Sequence, residues 1–375
     1  VVIPFENVNN FIVVTVTLNN KLPLRFIVDT GSRYTVLTQK VLIHPSKISY
    51  DRKFIVYGAD RSQDIHAYLA PNLEVSLNAQ ATKTMSILVL ENDLLNIEEI
   101  IGTEIHGILG TDFFQYNLLA IDYQNEKLII HSRKSFPPSR QWKVFPMDFN
   151  TGKPYLNIPI TIKDSVQLMP RLLIDTGADL SLILHPNAIP RLQLPVKVVE
   201  GRIGSGLGGF LNGYLGRIRE LELGDYKFKN IITHFQNMPV INDSLIDLSR
   251  EGVLGNRLLT RFKVCFDFYQ HDLYLKPVGK FNREFDYDRS GLLLIIQGRS
   301  LNKLVVEGLI PGSAAAKAGL LPGDHIIRLN GHNRFSLNLE TATRLLQKRA
   351  GKKIKARIMR DGKIQIIRFK LEDLI

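Results

Sequence analysis

Two aspartates carry the chemistry that this sequence can offer. Asp29 ends the run "RFIVDTGS" and Asp175 ends the run "RLLIDTGA". An aspartate at the end of an apolar strand must be solvated, hydrogen-bonded or held for chemistry. Each is followed by Thr-Gly, and the glycine allows a tight loop and the close approach of another backbone. If the two loops face each other, two carboxylates meet about 3 Å apart and cannot both ionise easily, so one proton is shared between them. One carboxylate is then a general base for water. The other is an acid that polarises a carbonyl and protonates a leaving amine. Threonine hydroxyls at 30 and 176 are placed to hydrogen-bond across the junction and lock both loops.

The elements that must position these residues repeat as well. Before each Asp-Thr-Gly lies an alternating run, a polar turn and a second apolar run, which reads as a hairpin: "FIVVTVTLNNKLPLRFIVDTG" and "YLNIPITIKDSVQLMPRLLIDTG". Gly110 in "HGILGTDFF" lies 81 residues after Asp29, and Gly255 in "EGVLGNRLL" lies 80 residues after Asp175. A further hairpin closes each unit, "LLAIDYQNEKLIIH" and "FKVCFDFYQHDLYLKP". Two anchors at matching spacing predict two homologous β-rich lobes. The stretch around Pro137-Pro138 suits a linker between them.

"IVDTGS" with Ile108-Leu109-Gly110, and "LIDTGA" with Val253-Leu254-Gly255, resemble the aspartic protease superfamily over roughly residues 11 to 276. The lobes are short, nearer the retropepsin-like type, but one chain carries both, as in pepsins. The resemblance implies that Asp29 and Asp175 are the catalytic pair, with Thr30, Gly31, Ser32, Thr176, Gly177 and Ala178 shaping the active-site loops. It also implies a flap that closes over substrate. Tyr57 and Gly58 stand near the tip of the lobe-one candidate, and Gly206 and Gly208 in its lobe-two counterpart. Ser32 after the first motif and Ala178 after the second predict an asymmetry: a hydroxyl there favours the charged carboxylate, and its loss raises the apparent pKa of the pair. Gly204, Gly206 and Gly209 formally fit a dinucleotide fingerprint, but the following "FLNGYLGRI" reads as strand where a pyrophosphate site needs a helix N-terminus. A mobile glycine-rich loop is expected instead.

Beyond the second lobe the pattern changes to strand, short Ala-rich helix, Pro-Gly-Asp turn and strand. "NLETATRLLQKRAG" reads as a helix with Asn338 at its N-cap and Gly351 near its end. "KIKARIMRDGKIQIIRFKL" reads as a hairpin on Asp361-Gly362. Residues 290–371, above all "PGSAAAKAGLLPGDHIIRLNG", resemble a PDZ domain of the kind found in bacterial proteases. The resemblance implies that Gly291, Leu292, Leu293 and Leu294 form a carboxylate-binding loop whose N–H groups hold a peptide C-terminus. Leu293 departs from the glycine often found there. A PDZ fold used only for packing against the lobes is the alternative.

The expected architecture is therefore mainly β: lobe one over residues 1–138, lobe two over 139–280, and an α+β PDZ domain over 281–375. The 375 residues suit two or three domains. Forty-eight Lys and Arg against 36 Asp and Glu give a net charge of +12, spread along the chain, which reads as solubility rather than a nucleic-acid site. The single cysteine, Cys265, sits among apolar neighbours and reads as inert packing. Nine scattered histidines make no metal-ligand spacing, so neither a metal nor another cofactor is expected. No apolar run reaches transmembrane length. The resulting expectation is an aspartic endopeptidase that acts on extended polypeptides as a single chain. By resemblance it is placed outside the cytoplasm, in a bacterial periplasm or envelope. The rival readings are a catalytically silent peptide-binding protein and an obligate dimer.

Overall fold

The computed structural model of the protein describes all residues except 22, 39–41, 44–48, 58–63, 92–96, 133–135, 137–138, 150, 164–165, 207–208, 239–249, 280, 299 and 334; residues 49–51, 57, 64, 202–206 and 209–211 are described by backbone alone. The expected linker prolines Pro137-Pro138 thus lie outside the described residues.

The repeat in the sequence becomes a repeat in the pairing. In lobe one, strand Pro23–Val28 runs parallel to Gly107–Leu109, which pairs antiparallel with Val36–Leu37, which runs parallel to Ala81–Leu90. In lobe two, Arg171–Asp175 runs parallel to Gly252–Gly255, which pairs antiparallel with Leu182–Leu184, which runs parallel to Tyr226–Phe235. Gly107–Leu109 and Gly252–Gly255, each lying between two neighbours, are short and buried throughout. Each reads as an uninterrupted run because it is buried on both sides. Each lobe adds a long hairpin: Ser49–Tyr57 with Asp64–Asn78, and Val198–Gly206 with Gly209–Leu223.

The closing hairpins meet. Leu118–Asp122 pairs antiparallel with Phe262–Asp267, bringing Ala120 opposite Cys265 and Ile121 opposite Val264. This pairing is the middle of a six-stranded sheet whose outer strands are Val2–Pro4 and Lys143–Pro146. The sheet welds the lobes into one unit. Phe262, Val264, Cys265 and Phe266 are fully buried, and one apolar core runs from Ile12 and Phe26 in lobe one to Leu172 and Phe235 in lobe two. Burying each such side chain contributes roughly 1.5–3 kcal/mol. Burial pushes the Cys265 thiol pKa far up, which keeps it protonated and inert.

The C-terminal segment has its own core, built on Leu292, Val306, Ile326, Leu346 and Ile358. Its sheet runs in the order Leu292–Gln297, Lys303–Leu309, His325–Leu329, Lys353–Arg360, Lys363–Lys370. Helix Leu339–Leu346 starts at Asn338, whose Oδ1 accepts from the Thr341 N–H at 2.8 Å. Asp361 and Gly362 both have positive φ, the conformation that a two-residue hairpin turn needs. Leu292–Gln297 is the edge strand, and helix Leu339–Leu346 lies beside it.

Candidate active site

Parallel pairing delivers both aspartates to the same place. Asp29 follows strand Pro23–Val28, and its N–H donates to the Leu109 carbonyl at 3.1 Å. Asp175 ends its strand opposite Gly255. The two anchor glycines are required by space. A Cβ at Gly110 would stand 2.6 Å from the carbonyl carbon of Tyr34, and one at Gly255 would stand 2.7 Å from the carbonyl oxygen of Ala178. The Thr111 and Asn256 N–H groups then donate to the carbonyls of Ser32 and Ala178, at 3.0 and 2.8 Å. Each Asp-Thr-Gly loop is tied in this way to the segment 80 or 81 residues further along the chain.

The two loops interlock. The Thr30 N–H donates to Thr176 Oγ1 at 3.0 Å, and the Thr176 N–H donates to Thr30 Oγ1 at 3.1 Å. Each hydroxyl passes its proton to the strand of the opposite lobe: Thr30 Oγ1 to the Ile174 carbonyl at 2.7 Å, and Thr176 Oγ1 to the Val28 carbonyl at 2.8 Å. All four groups are buried and paired. Gly31 packs on the Asp175 carboxylate and Gly177 on that of Asp29; a Cβ at either would lie 2.6 Å from a carboxylate oxygen. The Gly31 N–H donates to Asp29 Oδ1 at 2.7 Å, and the Gly177 N–H to Asp175 Oδ1 at 2.7 Å.

Asp29 and Asp175 are 7% and 8% exposed. Burial raises the Asp29 carboxyl well above the usual carboxylate range, and the charge of Asp175 and a hydrogen bond with it raise it further. Lys153 and the Gly31 N–H pull the other way. A proton therefore stays on the pair at a pH where an ordinary aspartate has lost it.

The other expected residues divide. The Ser32 N–H donates to Asp29 Oδ1 at 3.1 Å, but its hydroxyl donates to the Tyr34 carbonyl at 2.8 Å. The Ser32–Ala178 difference therefore does not act through a hydroxyl on the carboxylate; the nearer carbonyl in the turn takes that proton. Tyr57 ends its hairpin strand, with its side chain outside the described residues, and Gly58 lies outside them entirely. Gly206 pairs with Gly209 at the end of the lobe-two hairpin, while Gly208 lies outside the described residues. Strand Gly209–Leu223 follows the glycine-rich stretch, in place of the helix a dinucleotide would need. In the C-terminal segment Gly291 has φ +77° and precedes the edge strand that holds Leu292, Leu293 and Leu294. Its N–H donates to Asp288 Oδ1 at 2.8 Å, and the Leu292 N–H donates to Ser290 Oγ at 3.1 Å. Two N–H groups of the expected carboxylate loop are thus engaged within the chain.

Sequence reasoning missed three contributors. Lys153 comes to Asp29 because the turn ahead of strand Tyr155–Asn157 packs on lobe one, as the turn ahead of Phe11–Leu18 packs on lobe two. Thr111 Oγ1 donates to the Gly152 carbonyl at 2.6 Å, and in the reciprocal contact Asn10 Nδ2 donates to Asp179 Oδ1 at 2.8 Å. Arg257 holds that same Asp179 through Nε at 2.8 Å and Nη2 at 3.0 Å. In lobe one Asp112 accepts from the Thr35 N–H and hydroxyl at 2.9 and 2.7 Å, fixing the loop from below. Thr35 and Asp112 flank two motifs far apart in the chain, so only the spacing between them could have signalled the contact. Two cavities of about 530 Å³ lie elsewhere on the molecule, lined by neither aspartate. Among the described residues no cluster of His, Cys, Asp or Glu is arranged to hold a metal, and no helix is long and apolar enough to cross a membrane.

A PDZ domain family model matches residues 305–360. No curated protein matches the chain. Among solved structures, basic 7S globulin from soybean aligns with a TM-score of 0.47 at 10% identity over 74% of this chain and 94% of its own. An aspartic proteinase from Irpex lacteus aligns with a TM-score of 0.47 at 14% identity, over 75% and 98%. An aspartyl protease family model matches residues 14–113 and again 158–258, together more than half of the chain and one match per lobe. The chain belongs to the aspartyl protease family and carries a PDZ domain after its second lobe.

Proposed function

We propose that the protein is an aspartic endopeptidase whose catalytic pair is Asp29 and Asp175. The observation that carries this reading is the reciprocal interlock: two buried carboxylates, each against the glycine of the opposite loop, with both threonines spent on holding the loops together. Such rigidity suits groups that must be in place before the reaction begins.

The charged carboxylate takes a proton from a water between the pair, and the oxygen attacks the carbonyl carbon of an extended peptide. The protonated carboxyl donates to the carbonyl oxygen, giving a tetrahedral diol. Collapse of the diol breaks the C–N bond as a proton passes to the leaving nitrogen. The products are a carboxyl and an amine, and the pair returns to its singly protonated state. The hairpins Ser49–Tyr57/Asp64–Asn78 and Val198–Gly206/Gly209–Leu223 occupy matching places in the two lobes and are the candidates for covering a bound substrate. Both lobes and the sheet that joins them come from one chain, which supports action as a monomer.

The test is incubation with reduced, carboxymethylated albumin, followed by mass spectrometry of the fragments. Cuts between interior residues are expected. Intact substrate at every acidic and neutral pH would contradict the proposal, as would loss of terminal residues only.

A further inference from the structure

The groove between edge strand Leu292–Gln297 and helix Leu339–Leu346 is where a PDZ domain adds a peptide as a further strand. In this chain that groove is not open. Helix Ile97–Ile101 of lobe one lies against the edge strand. The turn that follows it puts Gly102 between the two walls: a Cβ there would touch Ile296 Cγ1 at 3.5 Å and Leu339 Cβ at 3.6 Å. Gly102 has φ +83°, and its N–H donates to the Glu98 carbonyl at 2.7 Å. Asn9 Nδ2 holds the Ile101 carbonyl at 2.7 Å, so lobe one fixes the shape of the turn. Ile97, Ile101 and Ile105 are anchored in the lobe-one core. Ile295, which is outside the PDZ core, is nevertheless only 5% exposed. A cavity of about 340 Å³, lined by Arg25, Glu104 and Leu301 among others, marks the seam.

At the other end of the groove the chain satisfies part of its own loop. Asp288 Oδ1 accepts from the Ser290 N–H at 2.8 Å, the Ser290 hydroxyl at 2.6 Å and the Gly291 N–H at 2.8 Å. The Gly291 N–H of the expected carboxylate loop is thus already taken by a carboxylate of this chain. The neighbouring Pro311 touches the lobe-two hairpin, 3.6 Å from the Cβ position at Gly201, and Arg217 of that hairpin stacks over Tyr287 at 5.4 Å.

We propose that the resident occupant of the PDZ groove is residues 97–102 of this chain's own first lobe, so that a peptide C-terminus enters only by displacing them. The module then ties helix Ile97–Ile101 of lobe one to the lobe-two hairpin, and a competing peptide would release both. The inference rests on the PDZ assignment and goes beyond the catalytic reading.

A disulfide tests it directly. The 3.6 Å separation between the Gly102 Cβ position and Leu339 Cβ falls within the range that a disulfide bridges. The full chain carrying Gly102→Cys and Leu339→Cys is oxidised under native conditions and digested. The expected result is near-complete joining of the peptides containing positions 102 and 339, with no link in either single variant. Cys265 is fully buried and does not compete. Two free, labelled thiols in a folded double variant would overturn the proposal. Because Cys is strained at the positive φ of position 102, a second measurement uses the unsubstituted chain: hydrogen exchange of the 292–297 amides. Protection on the free edge, at least about tenfold over an uncovered strand, is expected. Exchange as fast as that of an open edge would overturn the proposal. Neither readout depends on this chain's own proteolytic activity, so failure here leaves the Asp29–Asp175 reading standing, and the reverse also holds.

Discussion

Thr30 and Thr176 exchange hydrogen bonds, each backbone N–H donating to the other's hydroxyl, at 3.0 and 3.1 Å. Each hydroxyl also donates to the strand of the other lobe. Every donor and acceptor in this buried junction has a partner, and removing one hydroxyl strands two groups, the N–H that donated to it and the carbonyl that accepted from it. An unsatisfied buried polar group costs about 1–3 kcal/mol.

Thr30→Val and Thr176→Val are each expected to lower stability by about 2–4 kcal/mol, and to lower kcat more than KM, because the carboxylates lose their fixed separation. Thr→Ser at the same positions keeps the hydroxyl and should restore most of both. Thermal unfolding with steady-state kinetics checks this. Valine variants with unchanged kcat would show that the junction does not position the pair.

If Asp29 and Asp175 are the catalytic pair, Lys153 lowers the upper limit of the working pH. Its charge lowers the Asp29 pKa against the rise caused by burial and by Asp175. Lys153→Met removes the opposing charge, so Asp29 holds its proton to a higher pH. The alkaline limb of the kcat/KM profile should then move upward, while Lys153→Arg should leave it in place. A limb that stays fixed, or moves to lower pH, in the methionine variant would contradict the assignment.

Asp288 makes the PDZ domain sensitive to pH. Burial pushes its carboxyl up to about 6, while the hydrogen bonds from Ser290, Gly291 and Leu292 pull it down. The folded state binds this proton more tightly than an unfolded aspartate with a pKa of about 3.9. The stabilising contribution is therefore complete below about pH 4 and is lost as the pH rises to about 6, a change of roughly 3 kcal/mol. Asp288→Asn keeps an acceptor for the loop and removes the titration. Urea unfolding followed by hydrogen exchange in strand Lys303–Leu309 should fall between about pH 4.5 and about pH 7 in the parent chain and stay level in the variant. An equal slope in both would rule Asp288 out as the titrating group.

The pseudo-symmetric lobes were legible because their signals are local. An apolar strand, Asp-Thr-Gly and a later apolar-Leu-Gly each leave a mark in the sequence, and their equal spacing ties them together. The exchange between Thr30 and Thr176 followed from the chemistry of two facing loops. Lys153 was not legible, because it reaches Asp29 only through the packing of the turn ahead of strand Tyr155–Asn157 against lobe one. Ser32 misled for a smaller reason: the Tyr34 carbonyl, two residues away, is a nearer acceptor than the carboxylate. The packing of Gly102 against Ile296 and Leu339 depends on how the PDZ domain sits on lobe one, and no residue in "IEEIIGTE" announces that.

The most direct measurement of the central claim is cleavage of unfolded albumin by the parent chain beside Asp29→Asn and Asp175→Asn, across acidic to neutral pH. Each substitution should remove at least about a hundredfold of the rate, the loss expected when one member of an acid–base pair is silenced. Stability should be unchanged or raised, since each variant relieves two buried carboxylates of their repulsion. Cleavage that survives either substitution would show that Asp29 and Asp175 do not act as one pair.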